Sequence, residues 1–179
     1  MSEDELSTVR DYLRYAVSEL RRANVAFGHG AADALDEAAF IVLEALSLPI
    51  EDINPWLDAR LLAPERRRLD GLIRARVEER IPAAYLLNKA YIQGVPFYVD
   101  ERVIVPRSFI GEILLGDQAD GFDDLIGCDR ETVSSVLDLC TGAGCLAILA
   151  AIAFPNARVA GVDVSADALA VAARNVADH

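Results

Sequence analysis

The strongest constraint on how this sequence can fold is a glycine-containing turn that follows a short apolar run near residue 140. The predicted elements around it are a strand at 136–139, a turn at 141–144, a helix at 145–154, a strand at 159–162 and a helix at 166–177. Parallel strands need a helical crossover between them, so strands that alternate with helices indicate a parallel sheet. The last third of the sequence therefore predicts the opening of a doubly wound α/β fold.

The turn carries a pattern that suits a nucleoside-containing ligand. Gly142, Gly144 and Ala147 satisfy the spacing G-x-G-x-x-(G/A), and Asp163 ends the second predicted strand about 20 residues further on. Glycine accommodates positive φ and allows a ligand to approach the main chain closely. A carboxylate at the second strand end can accept both ribose hydroxyls of an adenosine. The pattern predicts an adenosine-containing cofactor.

Asp138 bears on which cofactor that is. It lies inside the apolar run before the turn, where a carboxylate needs partners. S-adenosylmethionine carries an ammonium and a sulfonium, whereas the pyrophosphate of NAD is negative. Asp138 therefore favours S-adenosylmethionine over an NAD-dependent oxidoreductase. In the alternative interpretation, Asp138 only accepts N–H bonds from its own loop.

Three segments carry a resemblance to a known family. Residues 137–147 (LDLCTGAGCLA) resemble the cofactor motif of class I methyltransferases, in the form used by HemK-type protein glutamine methyltransferases. Residues 80–86 (RIPAAYL) and 97–108 (FYVDERVIVPRS) are similar to the branch that methylates the third protein of the large ribosomal subunit, and Gly28-His29-Gly30 fits that branch too. The resemblance extends from about Asp11 to His179.

The resemblance implies a domain layout and a cofactor site. Residues 1–88 are expected to form a helical substrate-recognition domain, 89–107 a β-hairpin linker, and 108–179 the first β-α-β-α of a Rossmann-like methyltransferase domain. S-adenosyl-L-methionine is the implied cofactor and a large-subunit ribosomal protein the implied substrate. The implied cofactor-binding residues are Asp138, Cys140, Thr141, Gly142, Ala143, Gly144 and Asp163.

Two further residues stay ambiguous at this stage. Ile104 either lines the cofactor pocket or packs in the hairpin, and Arg107 is either an ion-pair partner or a contact on the substrate side.

No catalytic residue can be assigned. The catalytic motif of the family, Asn-Pro-Pro-Tyr, is absent; Asn54-Pro55-Trp56 lacks the second proline and precedes the glycine turn. We therefore expect a truncated methyltransferase domain, inactive alone, with apolar sheet faces uncovered. Two alternatives remain open: a non-catalytic helical module that docks on a ribosomal protein or another partner, and methylation of a peptide release factor.

The first half of the sequence predicts helices. Apolar residues recur at three- or four-residue steps from Leu6 to Leu20, behind a possible capping box of Ser2 and Glu5. Further helices are predicted at 33–48, from Pro64, and from Pro82 to Leu87. The face predicted to point inward on the second helix is Leu35, Ala38, Val42, Ala45 and Leu46. Short strands are expected at 91–93, 97–99 and 103–105, then a helix from Ser108 to Leu115 and a loop at 116–130.

Composition limits the partners and the setting. The 17 Lys and Arg residues against 29 Asp and Glu give a formal net charge of −12, which disfavours direct binding to nucleic acid. Six arginines between Arg66 and Arg80 are read as a solvated helix face or, alternatively, as a patch for an acidic or ribosomal partner. The three cysteines lack a metal-binding spacing, so no metal is expected. No membrane span is predicted. The sequence predicts a cytoplasmic location, with the cysteines present as reduced thiols.

Overall fold

The computed structural model describes residues 6–28, 30–115 and 129–179. The chain divides into two compact units, residues 1–87 and 88–179. Helices make up the first unit, and the second mixes helices with two short sheets. A mixed α/β class is therefore confirmed. In the described residues no helix has the length and apolar character needed to cross a membrane.

In its described residues, the first unit contains four α-helices and two short irregular helices. They are α1 (Val9–Arg22), α2 (Ala34–Ala45), a 3-10 turn (Asn54–Trp56), α3 (Ala63–Arg74), a π-helical turn (Ala75–Glu79) and α4 (Ala83–Leu87). Their buried apolar side chains form one core, which includes Val9, Tyr12, Ala16, Leu20, Ala38, Ile41, Val42, Leu69 and Ile73.

Helix α1 begins later than its sequence suggests. Its capping box is formed by Thr8, whose hydroxyl accepts the Asp11 N–H at 3.2 Å, while the Asp11 carboxylate accepts the Thr8 N–H at 2.9 Å. The candidate capping residues Ser2 and Glu5 lie outside the described residues. These hydrogen bonds satisfy N–H groups that have no partner within the first turn.

The prediction for helix α2 is partly wrong. Asp33 is its N-cap, and its carboxylate accepts the N–H groups of Leu35 and Asp36. Leu35 is 54% exposed, although its spacing predicted a core position. Glu37 is buried instead, because a charged partner reaches it from another helix.

That partner is Arg76, in the π-helical turn after α3. Its Nε lies 2.6 Å from Glu37 Oε1, and its guanidinium also donates to the Ala26 carbonyl at 2.9 Å. Both side chains are about 95% buried. For Arg76 the prediction of a solvated arginine face is therefore wrong. Of the other five arginines, Arg66 is half-buried and the rest are exposed. This exposure is compatible both with a solvated helix face and with a patch for an acidic or ribosomal partner.

In its described residues, the second unit contains two sheets of two strands each and three α-helices. The strands are β1 (Ala90–Ile92), β2 (Val95–Phe97), β3 (Ser135–Leu139) and β4 (Arg158–Val162). The helices are α5 (Phe109–Leu115), α6 (Cys145–Ala153) and α7 (Ala166–Asp178), and Arg130–Thr132 is a 3-10 turn. Residues 116–128, most of the predicted loop, lie outside the described residues, as does Cys128.

The first sheet is an antiparallel hairpin, with Ala90 opposite Phe97 and Ile92 opposite Val95. Gln93 and Gly94 at its turn both have positive φ, as a two-residue turn of type I′ requires. A third strand at 103–105 was predicted and is wrong. Val103 and Val105 are buried and Ile104 is 84% exposed, so the alternation is real, but no strand of the described chain pairs with them.

The second sheet is the predicted parallel pair. Strands β3 and β4 run in register from Ser135 opposite Arg158 to Leu139 opposite Val162, joined by helix α6. One face contains the half-buried residues Val136 and Asp138, and α6 contacts both strands. On the other face Leu137 and Leu139 are 59% and 65% exposed. The expected uncovered apolar face is therefore present in the described residues.

Candidate functional site

The glycine turn lies where β3 ends and α6 begins. The Thr141 N–H donates to the Val162 carbonyl at 2.9 Å, which joins the start of the turn to the end of β4. The Gly144 N–H then donates to the Thr141 carbonyl at 2.9 Å and closes the turn. Three residues here have positive φ, namely Cys140 at 60°, Gly142 at 55° and Gly144 at 79°. Two glycines are thus placed where the backbone enters the left-handed region.

Asp163 holds the same turn from the end of β4. One carboxylate oxygen accepts the Gly142 N–H at 2.9 Å, and the other accepts the Ser165 N–H at 2.9 Å. The hydrogen bond from the Ser165 N–H, and after it the one from the Gly142 N–H, holds the pKa of Asp163 below its usual range. The carboxylate is therefore ionised at neutral pH and fixed in direction, and its contribution to the turn is lost only as acid protonates it.

Asp138 approaches the turn from within β3 and is half-buried. Its Oδ2 accepts the Thr141 hydroxyl at 2.6 Å. Its hydrogen-bond partner in the described chain is thus a side-chain hydroxyl of its own turn, not a backbone N–H. Gly161, opposite Asp138 in β4, makes room for this pair, because a Cβ there would lie 2.7 Å from Thr141 Oγ1.

Helix α7 packs directly on the turn. A Cβ at Gly144 would lie 3.1 Å from the Ala172 Cβ, so a larger residue at Gly144 would press on the helix. Further along, Asn175 is completely buried, and its Nδ2 donates to the Ala143 carbonyl at 2.8 Å. Ser165 caps the start of the helix by accepting the Ala168 N–H.

The two cysteines at the turn differ in their environment. Cys140 is exposed, and Cys145 is buried at the start of α6. Burial raises the pKa of Cys145 to about 12, so its thiol stays protonated at neutral pH. Within the described part of the chain, no group of His, Cys, Asp and Glu side chains is arranged to hold a metal ion.

The structure brings most of the predicted site residues together. Asp138, Thr141, Gly142 and Asp163 share hydrogen bonds, and Ala143 and Gly144 contact α7. Ile104 and Arg107 are both exposed.

Sequence reasoning missed two residues that shape the turn, Gly161 and Asn175. The available signal for Gly161 was its place inside a predicted strand. For Asn175 it was an amide on an apolar helix face, four residues after Val171.

The two turn glycines should respond differently to alanine. Replacing Gly142 places a side chain in open space, so Gly142→Ala should cost about 1–2 kcal/mol of unfolding free energy from the positive φ alone. Gly144→Ala adds the overlap with Ala172, which we expect to cost about 1–3 kcal/mol more. Urea denaturation followed by circular dichroism measures both losses.

Ala172→Gly provides the control for that comparison. In the Gly144→Ala background it removes the contact with the Ala172 Cβ at 3.1 Å but not the one with the Ala172 Cα at 3.3 Å, so it should recover part of the lost stability. In the Gly142→Ala background it should only add the cost of glycine in a helix. Equal losses for the two single substitutions would contradict the close packing of α7 on the turn.

Comparison with known proteins assigns this part of the chain to a class. Residues 125–179 match the family model of the methyltransferase small domain. That range contains β3, the glycine turn, β4 and Asp163. Residues 125–179 of the second unit are therefore similar to the methyltransferase small domain.

Curated relatives extend the match to nearly the whole chain. The ribosomal protein uL3 glutamine methyltransferase of Burkholderia pseudomallei is 55% identical over 174 residues, which are 97% of this chain and 55% of that protein. The proteins of the same name from Bradyrhizobium diazoefficiens and Neisseria meningitidis serogroup B are 56% and 50% identical, over 98% of this chain and 55% and 56% of their own lengths. By sequence, the chain is similar to these uL3 glutamine methyltransferases over nearly its whole length. It spans about half the length of the curated relatives it matches.

Proposed function

We propose that this chain provides the cofactor-binding part of an enzyme that transfers a methyl group from S-adenosyl-L-methionine to a glutamine side-chain amide in the large-subunit ribosomal protein uL3. The observation that carries this proposal is the glycine turn with a carboxylate at the end of each neighbouring strand, Asp138 on β3 and Asp163 on β4. The names of the relatives supply the substrate.

The residues at the turn suit this cofactor in charge and in space. A side chain at Gly142 would meet nothing within 4 Å, so the turn faces open space there. Asp163 is ionised and directed at the turn, and its oxygens retain lone pairs for ribose hydroxyls. The negative charge of Asp138 suits an ammonium or sulfonium group. Among the described residues, the hydrogen bonds of Asp138 and Asp163 involve no cationic side chain that would suit a pyrophosphate.

Each residue then has a distinct part in binding. Asp163 would hold the ribose, and residues 140–144 would enclose the methionine end of the cofactor, with Asp138 behind them. When bound, S-adenosylmethionine supplies an electrophilic methyl group. The chain fixes the direction of that group by holding both ends of the cofactor, and such positioning lowers the entropic part of the barrier.

The fold supports a more specific class than mixed α/β. We propose that β3, α6, β4 and α7 are the first β-α-β-α of a Rossmann-like class I methyltransferase sheet. Such sheets are buried on both faces, and the exposed Leu137 and Leu139 fit a surface that further elements of the longer relatives would cover.

We assign no catalytic residue to this chain. An amide nitrogen is a weak nucleophile because its lone pair is delocalised into the carbonyl, so an enzyme must hold the amide hydrogens to direct the nitrogen at the methyl group. The Asn-Pro-Pro-Tyr motif that would do this is not in the sequence. The helical unit, residues 1–87, is the proposed substrate-recognition domain.

The substrate and the charge of the chain suggest its partners and place. A ribosomal protein substrate puts the proposed reaction in the cytoplasm, where ribosomes are assembled. The net charge of −12 supports recognition of the protein rather than of ribosomal RNA.

Two measurements test the proposal. Equilibrium binding of labelled S-adenosylmethionine and of NAD to the 179-residue chain should show saturable binding of the first alone. The product of the gene read in frame to its stop codon should then methylate unmodified uL3. Binding of NAD in place of S-adenosylmethionine, or methylation of a release factor but not of uL3, would contradict the proposal.

A further inference from the structure

Asn175 is the one buried side chain that links the glycine turn to a distant part of the second unit among the described residues. It has no exposed surface and lies on the face of α7 that also buries Val171 and Ala172. Its Nδ2 donates to the carbonyls of Ala143 at 2.8 Å and of Tyr98 at 3.0 Å, and its Oδ1 accepts the Tyr98 N–H at 2.7 Å. A single amide thus holds two backbone segments.

In the described part of the chain, neither the Tyr98 backbone nor the Ala143 carbonyl bonds to another backbone group. Strand β2 ends at Phe97, and the N–H and C=O of the next residue, Tyr98, bond to the amide where a further strand residue would bond to a neighbour. The Arg174 guanidinium lies 3.4 Å from the Tyr98 ring centre. Two consecutive residues of α7 therefore contact Tyr98, Arg174 at its ring and Asn175 at its backbone. The anchor for the amide is therefore itself fixed.

The same amide meets the turn at Ala143. Ala143 stands between Gly142 and Gly144, which both have positive φ and no side chain to restrict them. The Ala143 carbonyl accepts from Asn175, while the flanking N–H groups bond to Asp163 and Thr141. Without the amide, the Ala143 carbonyl would lose this hydrogen bond.

We propose that Asn175 is a positioning residue that sets the glycine turn in its binding conformation before the cofactor arrives. This rests on the proposed function in so far as the cofactor is S-adenosylmethionine. Burial of an amide is unfavourable unless its hydrogen bonds are made, and here they are made to backbone groups of the turn and of Tyr98. A turn ordered in advance gives tighter binding because less order has to be gained on association.

The test compares Asn175→Ala with Val171→Ala. Both positions are fully buried on the same face of α7, four residues apart, but Val171 makes only apolar contacts at its side chain. Hydrogen exchange of the Gly142 and Gly144 amides is followed by NMR without cofactor, and the Kd for S-adenosylmethionine is measured by calorimetry. Both are compared at matched global stability, adjusted with a low concentration of urea.

Asn175→Ala should speed exchange of both amides at least 10-fold and raise the Kd at least 5-fold, whereas Val171→Ala should leave both within twofold of the parent chain. Equal behaviour of the two variants would overturn the positioning role. If the parent chain binds no S-adenosylmethionine, the proposed function fails, and amide exchange alone decides the role of Asn175. If Asn175→Ala does not fold, Asn175→Ser, which keeps one hydrogen-bonding group, should show at least a threefold rise in exchange, and no rise would count against the proposal.

Discussion

Arg76→Ala is expected to lower the free energy of unfolding of the helical unit by about 3–5 kcal/mol. Arg76 and Glu37 are each about 95% buried, and the guanidinium satisfies both the carboxylate and the Ala26 carbonyl. Removing the arginine leaves a carboxylate in the core without its counter-charge. Urea denaturation of the chain, followed by circular dichroism at a helical wavelength, measures the loss.

An exposed pair of the same chemistry is the matched control. Arg10 contacts Asp58 at 3.0 Å, but the two side chains are 59% and 88% exposed. Arg10→Ala should therefore change the free energy of unfolding by less than about 1 kcal/mol. Replacing both buried partners, as in Glu37→Met with Arg76→Leu, should restore most of the stability. A loss below about 1 kcal/mol for Arg76→Ala would show that the pair contributes little.

Asp138→Asn is expected to weaken binding of S-adenosylmethionine by about 10- to 100-fold, the effect of losing a charged partner in a half-buried site. Asparagine keeps the size of the side chain and an oxygen that can accept the Thr141 hydroxyl, so the change removes charge with little change in shape. Calorimetric titration at pH 7 gives the two dissociation constants.

Two controls separate charge from turn geometry. Thr141→Val removes the hydroxyl hydrogen bond and keeps the carboxylate, so its Kd should rise less than about threefold. The ligand 5′-methylthioadenosine has neither the ammonium nor the sulfonium, and it should bind the parent chain and Asp138→Asn equally. If Asp138→Asn weakens both ligands to the same extent, the carboxylate acts on the turn and not on the cofactor charge.

The periodic elements of this chain could be predicted from its sequence. The parallel pair β3 and β4, the turn between them and helix α7 agree with the sequence to within a residue or two. Each is specified locally, by an apolar run, by glycines at positive φ and by Ser165 as a cap. The hydrogen bonds of Asp163 with the turn follow from the same local order, because both lie at the carboxyl ends of neighbouring strands.

What the sequence could not provide were contacts made between distant elements. Leu35 has the spacing of a core residue and is exposed. Glu37 is buried in α2 because its carboxylate pairs with Arg76, which lies 39 residues further along the chain. Residues 103–105 alternate like a strand and yet pair with no described strand. Asn175 looks like an ordinary helix residue until the tertiary fold brings Tyr98 and Ala143 to it. Propensity and period describe neighbours in sequence, and such partners are set by packing.

The core of the first unit bears on how the chain is made. Every side chain in that core comes from residues 6–87. Its contacts include ones between distant parts of that range, such as the hydrogen bond between Tyr12 and Asp70, which lie 58 residues apart. All the side chains of this core are available once residue 87 has left the exit tunnel during synthesis. The first unit is therefore able to fold on the translating ribosome while the glycine turn is still being added.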